Sequence, residues 1–195
     1  MPTLVVGLGN PGPEYAGTRH NFGHMVVSEL ARRAGATLTA HKGHARVASI
    51  RLEGPDGRPG PAVALAIPMS YMNTSGGPVS ALVKYLGVDP RDVIVVHDDI
   101  DLPFGAVKFK RGGGEGGHNG LKDITKALGT KDYVRVRGGV GRPPGRVDAA
   151  SHVLRKFSAV ERKELPWFVD VAADGVEAIV ATGLEAAQQR FHSTD

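Results

Sequence analysis

The chain has 195 residues and a mass of 20.5 kDa, a length typical of one domain with its own hydrophobic core. Its 41% hydrophobic and 23% charged residues are ordinary for an α/β protein, with no apolar run of membrane-spanning length and no N-terminal signal pattern. The absence of cysteine excludes disulfides, thiolate metal sites and a cysteine nucleophile, and we expect a cytoplasmic protein.

The net charge of +4 is distributed unevenly along the chain. Residues 101–163 carry 14 Lys and Arg against 6 Asp and Glu, whereas the rest of the chain carries 10 against 14. A basic region opposed to an acidic one indicates a polyanionic partner such as nucleic acid. The alternative at this point is an ordinary solvated basic surface.

Hydrophobic periodicity predicts strands and helices that alternate along the chain. The predicted strands are 4–6, 46–52, 62–67, 93–96, 107–110 and 133–137. The predicted helices are 21–33, a segment after Ser75 that includes 79–86, then 121–128, 159–182 and 185–190. The apolar strand 93–96 is expected to end abruptly at His97 and to lie in the centre of a sheet. Without repeats or a low-complexity linker, we expect a single domain, 1–195.

Polar residues follow three of the predicted strands. The segment 63–96 forms a β-α-β unit, and the two strands of such a unit are normally parallel. If the first strand is parallel to them, the carboxyl ends bring Asn10, then Met72 and Asn73, then Asp98 to one rim of the sheet. Ligand sites in open α/β sheets lie outside that rim, so we expect the functional site there.

His20 and Asp98 are the candidate general base and its orienting carboxylate. A carboxylate that accepts one imidazole N–H fixes the tautomer and raises the basicity of the other nitrogen. Asp99 and Asp101 compete for the role of Asp98. The alternatives are a structural histidine, or a metal site with His24, which lacks the glutamate of an H-E-x-x-H motif. Without cysteine or a G-x-S-x-G serine, water is the favoured nucleophile.

Two glycine-rich segments invite a nucleotide-binding interpretation. Residues 7–12 match the dinucleotide fingerprint G-x-G-x-x-G, but Pro11 and Pro13 remove backbone donors that a pyrophosphate would need. Residues 112–120 contain six glycines and lack the G-K-[ST] ending of a nucleotide P-loop. The first segment is therefore either an ordinary turn or a functional loop of another kind, since long loops at strand ends often carry function.

Basic residues flank the second glycine-rich segment. Lys110 and Arg111 stand directly before it, and Arg137 lies on the next predicted strand. Cations in this arrangement are suited to clamp a phosphate. The alternative is a flexible loop with exposed charges.

The chain contains four long motifs: GLGNPGPEYAGTRHN (7–21), PMSYMNTSG (68–76), HDDIDLPFG (97–105) and GGGEGGHNGLKD (112–123). In this order and spacing they resemble the bacterial peptidyl-tRNA hydrolase family. The resemblance implies a single three-layer α/β/α domain with a mixed, mostly parallel central sheet. It also implies a monomer without an obligate protein partner, metal or cofactor. Such an enzyme cleaves the ester joining a peptide to the terminal ribose of tRNA, and so recycles the tRNA.

Residue roles follow from the resemblance, position by position. It implies that His20 is the general base for water, that Asp98 supports it, and that Asn10 helps to distinguish N-blocked from free aminoacyl-tRNA. The positions that the resemblance places in contact with the substrate, or beside such contacts, are Tyr15, Tyr71, Met72, Asn73, His118 and Asn119. Lys110 and Arg137 match a basic pair that holds the tRNA 5′-phosphate. Amide donors from Asn73 or Asn119 would suit the tetrahedral oxyanion.

Two segments depart from the family's pattern. Gly138 and Gly139 stand where a β-branched residue usually follows the second arginine, which puts the regularity of that strand in question. Residues 151–154 lack the aromatic that usually precedes Val-Leu, inside a lid-like segment at about 141–157. We expect His152 in that segment to lie in solvent or against a tRNA phosphate.

The sequence leaves two rival functions. A non-catalytic RNA-binding relative of the same fold is the stronger, although it would have little need for His20, Asp98, Asn10 and Asn73 together. A dinucleotide-dependent oxidoreductase is the weaker, because the fingerprint lacks a helix that faces a pyrophosphate.

Overall fold

The computed structural model describes residues 2–42 and 44–192. Within these segments seven strands form one sheet: β1 (Thr3–Gly7), β2 (Thr39–His41), β3 (Ala45–Glu53), β4 (Pro59–Pro68), β5 (Val93–Asp99), β6 (Val107–Arg111) and β7 (Val134–Gly139). The α-helices are α1 (Phe22–Arg33), α2 (Gly76–Leu86), α3 (Asn119–Leu128), α4 (Ala149–Val153), α5 (Ala159–Thr182) and α6 (Leu184–His192). Among the described helices, none has both the length and the apolar character needed to cross a membrane.

The strand order in the sheet is β2-β3-β4-β1-β5-β7-β6. The four central strands β4, β1, β5 and β7 are parallel, whereas the pairs β2–β3, β3–β4 and β6–β7 are antiparallel. Strand β1 lies between β4 and β5, so the carboxyl ends of these three strands meet at one rim. The mixed sheet and the parallel centre confirm the predicted fold class.

Helices cover both faces of the sheet. Val5 of β1 packs into a core with α1 and α5, whereas Leu4 and Val6 pack into a second core with α2 and α3. Because successive side chains of a strand point to opposite faces, an apolar strand such as β1 needs a helical layer on each side. The protein is therefore a three-layer α/β/α structure.

Strand β5 is longer than the apolar pattern predicts. It continues to Asp99, because Asp98 and Asp99 pair with Gly138 and Gly139 of β7. The two glycines do not interrupt β7. A Cβ on Gly138 would lie 2.2 Å from the ring of Phe22, and one on Gly139 would lie 2.1 Å from a main-chain oxygen. Glycine is thus required by close packing, and the strand is regular where the sequence put this in question.

Gly138→Ala is expected to destabilise the protein by about 1–3 kcal/mol, because the added methyl is forced against the buried Phe22 ring. Gly77→Ala, on α2, is the matched control, since a Cβ there meets no atom within 4 Å. The control is expected to be neutral or to stabilise by at most about 1 kcal/mol. Urea unfolding measures both changes. Equal unfolding midpoints for the two variants would contradict this account of Gly138.

Candidate active site

A cavity of about 560 Å³ opens at the carboxyl ends of β1, β4 and β5. The cavity lies at the rim of the sheet where the strand pattern predicts a functional site. Nine of the predicted site residues line it: Asn10, Tyr15, His20, Tyr71, Met72, Asn73, Asp98, His118 and Asn119. Lys110 and Arg137 are not among its lining residues.

His20 lies in a short 3-10 turn, Arg19–Asn21, directly before α1. Its Nδ1 atom is 3.0 Å and 2.9 Å from the two carboxylate oxygens of Asp98. Asp99 instead accepts a hydrogen bond from Arg137, and Asp101 accepts hydrogen bonds from Arg142. Of the three candidate carboxylates, only Asp98 contacts His20.

A second histidine shares the Asp98 carboxylate. His118 Nε2 lies 3.0 Å from Asp98 Oδ1. At the start of α3, the Nδ1 atom of His118 accepts hydrogen bonds from the main-chain N–H groups of Gly120 and Leu121. Because Nδ1 acts as the acceptor, the proton of neutral His118 sits on Nε2 and is donated to Asp98. Asp98 therefore receives an N–H from each of two imidazoles.

The pKa values of His20 and Asp98 shift in opposite directions. Burial lowers the pKa of His20, but the charge and hydrogen bond of Asp98 outweigh it and raise the pKa above its ordinary value of 6.5. Burial raises the pKa of Asp98, but the interactions with His20 and His118 outweigh it and hold the pKa well below the usual range. Asp98 is thus ionised at neutral pH and fixes the His20 tautomer that carries its proton on Nδ1.

The ligand atoms of His20, Asp98 and His118 lie within 4.8 Å of one another, close enough to surround a metal ion. The tautomer of His118 opposes this use, because a metal on Nε2 would displace the proton onto Nδ1, which already accepts two N–H groups. His24 does not join this cluster. Its Nδ1 accepts a hydrogen bond from Asn21, and burial lowers its pKa to about 4.

Asn10 is held by three hydrogen bonds. Its main-chain N–H and C=O bind the side chain of Asn21, and its Oδ1 accepts the N–H of Met72 at 2.6 Å. The N–H of Met72 thereby identifies the amide oxygen, and the Nδ2 donors have no acceptor among the described residues. Asn73 and Asn119 likewise make no side-chain hydrogen bond within the described segments. The cavity is therefore lined by three amides with free donors.

The lid-like segment forms one wall of the cavity. Its lining residues are Ala149, Ala150, Val153 and Leu154, in and just after α4. Arg19 ties this segment to the loop of His20, since its guanidinium donates to the main-chain oxygen of His152 and to Glu161, at 3.0 Å and 2.8 Å. His152 is half-buried, with Nε2 3.4 Å from the main-chain oxygen of Val140, so it is less exposed than a fully solvated side chain; its contact with a tRNA phosphate stays a prediction.

Lys110 and Arg137 lie beside the cavity, on one face of the antiparallel pair β6–β7. Arg137 forms an ion pair at 2.9 Å with Asp99, which lines the cavity. Lys110 Nζ donates to the main-chain oxygen of Gly114. Arg111 does not join them, because its guanidinium donates to the main-chain oxygen of Arg91. Burial and the charges of Arg137 and Arg135 lower the pKa of Lys110, the direction produced by cations held close together.

Sequence reasoning missed several lining residues. They are His97, Ile100, Glu115, Gly116, Gly117 and the four residues of the lid-like segment. Helix α4 has a capping signal, since Asp148 accepts the N–H of Ser151. The others lie inside the motifs 97–105 and 112–123, but their contact with the cavity became visible only in the folded structure.

Comparison with known proteins agrees with these motifs and this geometry. The family model described as peptidyl-tRNA hydrolase matches residues 4–195. The chain is 61% identical over 190 residues to the peptidyl-tRNA hydrolase of Arthrobacter sp. (strain FB24), covering 97% of this chain and 96% of the relative. It is 59% identical over 191 residues to that of Kineococcus radiotolerans, covering 97% and 96%. The crystal structure of peptidyl-tRNA hydrolase from Acinetobacter baumannii superposes with a TM-score of 0.87 at 36% identity, covering 97% of this chain and 94% of that one. This chain belongs to the peptidyl-tRNA hydrolase family.

Proposed function

We propose that this protein hydrolyses the ester between a peptide and the 3′-terminal ribose of tRNA, with water as nucleophile and His20 as general base. The observation that carries the proposal is the contact between His20 and the buried Asp98 inside the cavity. Asp98 is 2% exposed and its charge orients the imidazole. The family relationship supports the substrate and the reaction type.

The lining of the cavity favours water as the nucleophile. Among the described residues, no serine, threonine or lysine lines the cavity, and the chain has no cysteine. These are the residue types that most often form acyl intermediates or Schiff bases. A water molecule activated by a neighbouring imidazole needs none of them.

The proton path follows from the tautomer. His20 Nδ1–H donates to Asp98, which leaves Nε2, without a partner among the described residues, as the basic atom. Nε2 takes a proton from water while the water oxygen bonds to the ester carbon. When the tetrahedral intermediate collapses, the bond from carbon to the ribose oxygen breaks, and the proton on Nε2 passes to that oxygen. His20 returns to its neutral state.

The free amides of the cavity are suited to the carbonyl groups of the substrate. We assign the Nδ2 of Asn10 to the amide carbonyl that only an N-blocked substrate has, and Asn73 or Asn119 to the oxyanion. Tyr15, Tyr71, Met72 and His118 complete the substrate contacts. Neutral amides can donate to these oxygens without attracting a cation.

Asn10→Asp is expected to lower the preference for N-blocked over free aminoacyl-tRNA by about 10²-fold or more. The new carboxylate keeps an oxygen for the N–H of Met72, but it replaces the donor with a negative charge that attracts a free α-ammonium. The measurement is kcat/KM for N-acetylaminoacyl-tRNA and for its unblocked counterpart. An unchanged ratio in a folded variant would rule out this role of Asn10.

The tRNA body contributes to binding through its phosphates. We assign Lys110 and Arg137 to the 5′-phosphate, since both cations lie on one face beside the cavity. Residues 101–163, which include these two, carry 14 Lys and Arg against 6 Asp and Glu, so affinity for tRNA should fall steeply with salt. We further propose that the chain acts as a single-domain monomer in the cytoplasm, without metal or cofactor.

Hydrolysis in H₂¹⁸O tests the proposed reaction. The substrate is N-acetylaminoacyl-tRNA, and the expected result is one ¹⁸O atom in the carboxylate of the released amino acid and none in the tRNA. Binding of the tRNA without release of amino acid would instead establish the rival function, an RNA-binding relative.

A further inference from the structure

Arg135 is the largest fully buried side chain of the described protein. Its NH1 atom donates to the main-chain oxygens of Gly113 and Gly114, at 3.1 Å and 2.6 Å, and its NH2 atom donates to that of Lys131. The guanidinium lies 4.5 Å from the ring centroid of Tyr133. Among the described residues, no carboxylate comes within 4.0 Å of it, so its close contacts are carbonyl oxygens and an aromatic ring.

The carbonyls that Arg135 binds belong to the glycine-rich loop, residues 112–117. Gly113 has φ = +84°, so the loop follows a path that other residues would strain. Lys110 donates to the same Gly114 oxygen at 3.1 Å. The residues that follow, 115–119, line the cavity. One buried guanidinium thus holds both a wall of the cavity and the acceptor that orients Lys110.

Four cations, Lys108, Lys110, Arg135 and Arg137, project from the same face of β6 and β7. Arg137 has an ion pair with Asp99, whereas neither Lys110 nor Arg135 has a carboxylate within 4.0 Å in the described chain. A buried charge without a counter-ion is costly, and it raises the positive potential of its surroundings. Lys110 and Arg135 therefore lack a carboxylate at ion-pair distance, and an anion on the exposed side of this face would supply negative charge.

We propose that Arg135 is a positioning residue, which fixes the glycine-rich loop and through Gly114 holds the Lys110 ammonium where a phosphate of the tRNA binds. This rests on the proposed function, because it assumes that Lys110 meets the tRNA 5′-phosphate. Arg135 itself is buried and does not touch the substrate. Its role differs from that of Lys110, since it acts through the loop carbonyls.

Binding of uncharged tRNA with a 5′-phosphate or a 5′-hydroxyl tests this role without any need for hydrolysis. For the wild type we expect the 5′-phosphate form to bind about tenfold more tightly, the value of a charge-assisted contact. Arg135→Met is expected to bring the ratio of the affinities for the 5′-phosphate and 5′-hydroxyl forms close to one. It is also expected to speed amide hydrogen exchange in residues 112–118. Lys126→Met, which removes an exposed cation of α3, is the control and should keep the ratio.

Arg135→Lys separates positioning from charge, and it decides the question if Arg135→Met does not fold. Lysine keeps the positive charge but loses the planar fork that binds two carbonyls. We expect Arg135→Lys to bring the ratio of the two affinities close to one and, in hydrolysis, to raise KM by a larger factor than it lowers kcat. A folded Arg135→Lys that keeps the wild-type ratio and loop protection would overturn the proposal. Hydrolysis by the wild type is a separate result, which decides the proposed function alone.

Discussion

Replacement of His20 by alanine is expected to lower kcat for N-acetylaminoacyl-tRNA by about 10²–10⁴-fold, the usual contribution of a positioned general base. The imidazole lies at the cavity wall with Nδ1 bonded to Asp98, so its loss removes the atom that accepts the proton from water. The affinity for tRNA should change little, because His20 does not belong to the basic surface. Single-turnover hydrolysis measures the chemical step.

His44→Ala is the matched control for this loss. His44 is exposed and is not among the lining residues of the cavity, so its replacement should leave kcat unchanged. If His20→Ala, folded and able to bind tRNA, hydrolysed the substrate at the wild-type rate, the base would have to be sought elsewhere.

Asp98→Asn is expected to lower the maximal rate and also to move the pH profile. In the wild type the rate should rise as His20 loses its proton, with a midpoint above 6.5, because Asp98 raises the pKa of His20. Without the carboxylate, burial dominates and lowers the pKa of His20, so the rising limb should move to lower pH. An asparagine also fixes the imidazole less well, which costs roughly 10²–10⁴-fold in maximal rate.

The measurement is kcat/KM from acidic to mildly alkaline pH for the wild type and Asp98→Asn. Asp99→Asn is the comparison, because Asp99 pairs with Arg137 and does not contact His20. The rising limb of the pH profile of this variant should keep the wild-type midpoint. If the midpoint of the rising limb in the pH profile of Asp98→Asn stayed in place or moved to higher pH, this would contradict the assigned role of Asp98.

The sequence alone predicted the rim on which the site lies. Apolar runs placed β1, β4 and β5, and parallel strands must end at a common edge, so Asn10, Asn73 and Asp98 could be expected together. Residue patterns alone did not choose between Asp98 and Asp99, because consecutive side chains of a strand point to opposite faces and the pattern does not show which face meets His20. The extension of β5 to Asp99 was also hidden, since it depends on pairing with two glycines of β7.

Short elements, and contacts between residues far apart in the chain, were the other features that the sequence did not predict. Strand β2 has three residues and α4 has five, too few for a periodic pattern. Arg135 alternates with Val134 and Val136, which predicts an exposed cation, yet the glycine-rich loop buries it. The bond from Arg19 to the oxygen of His152 joins residues 133 positions apart, and it fixes the lid-like segment that sequence alone left open.

The central claim is that this chain hydrolyses peptidyl-tRNA with His20 as the base. The most direct test compares ester cleavage of N-acetylaminoacyl-tRNA with that of the unblocked aminoacyl-tRNA, for the wild type and for His20→Ala. We expect the wild type to cleave only the blocked substrate and His20→Ala to lose this activity. Tight tRNA binding by the wild type with no cleavage of either substrate would contradict it.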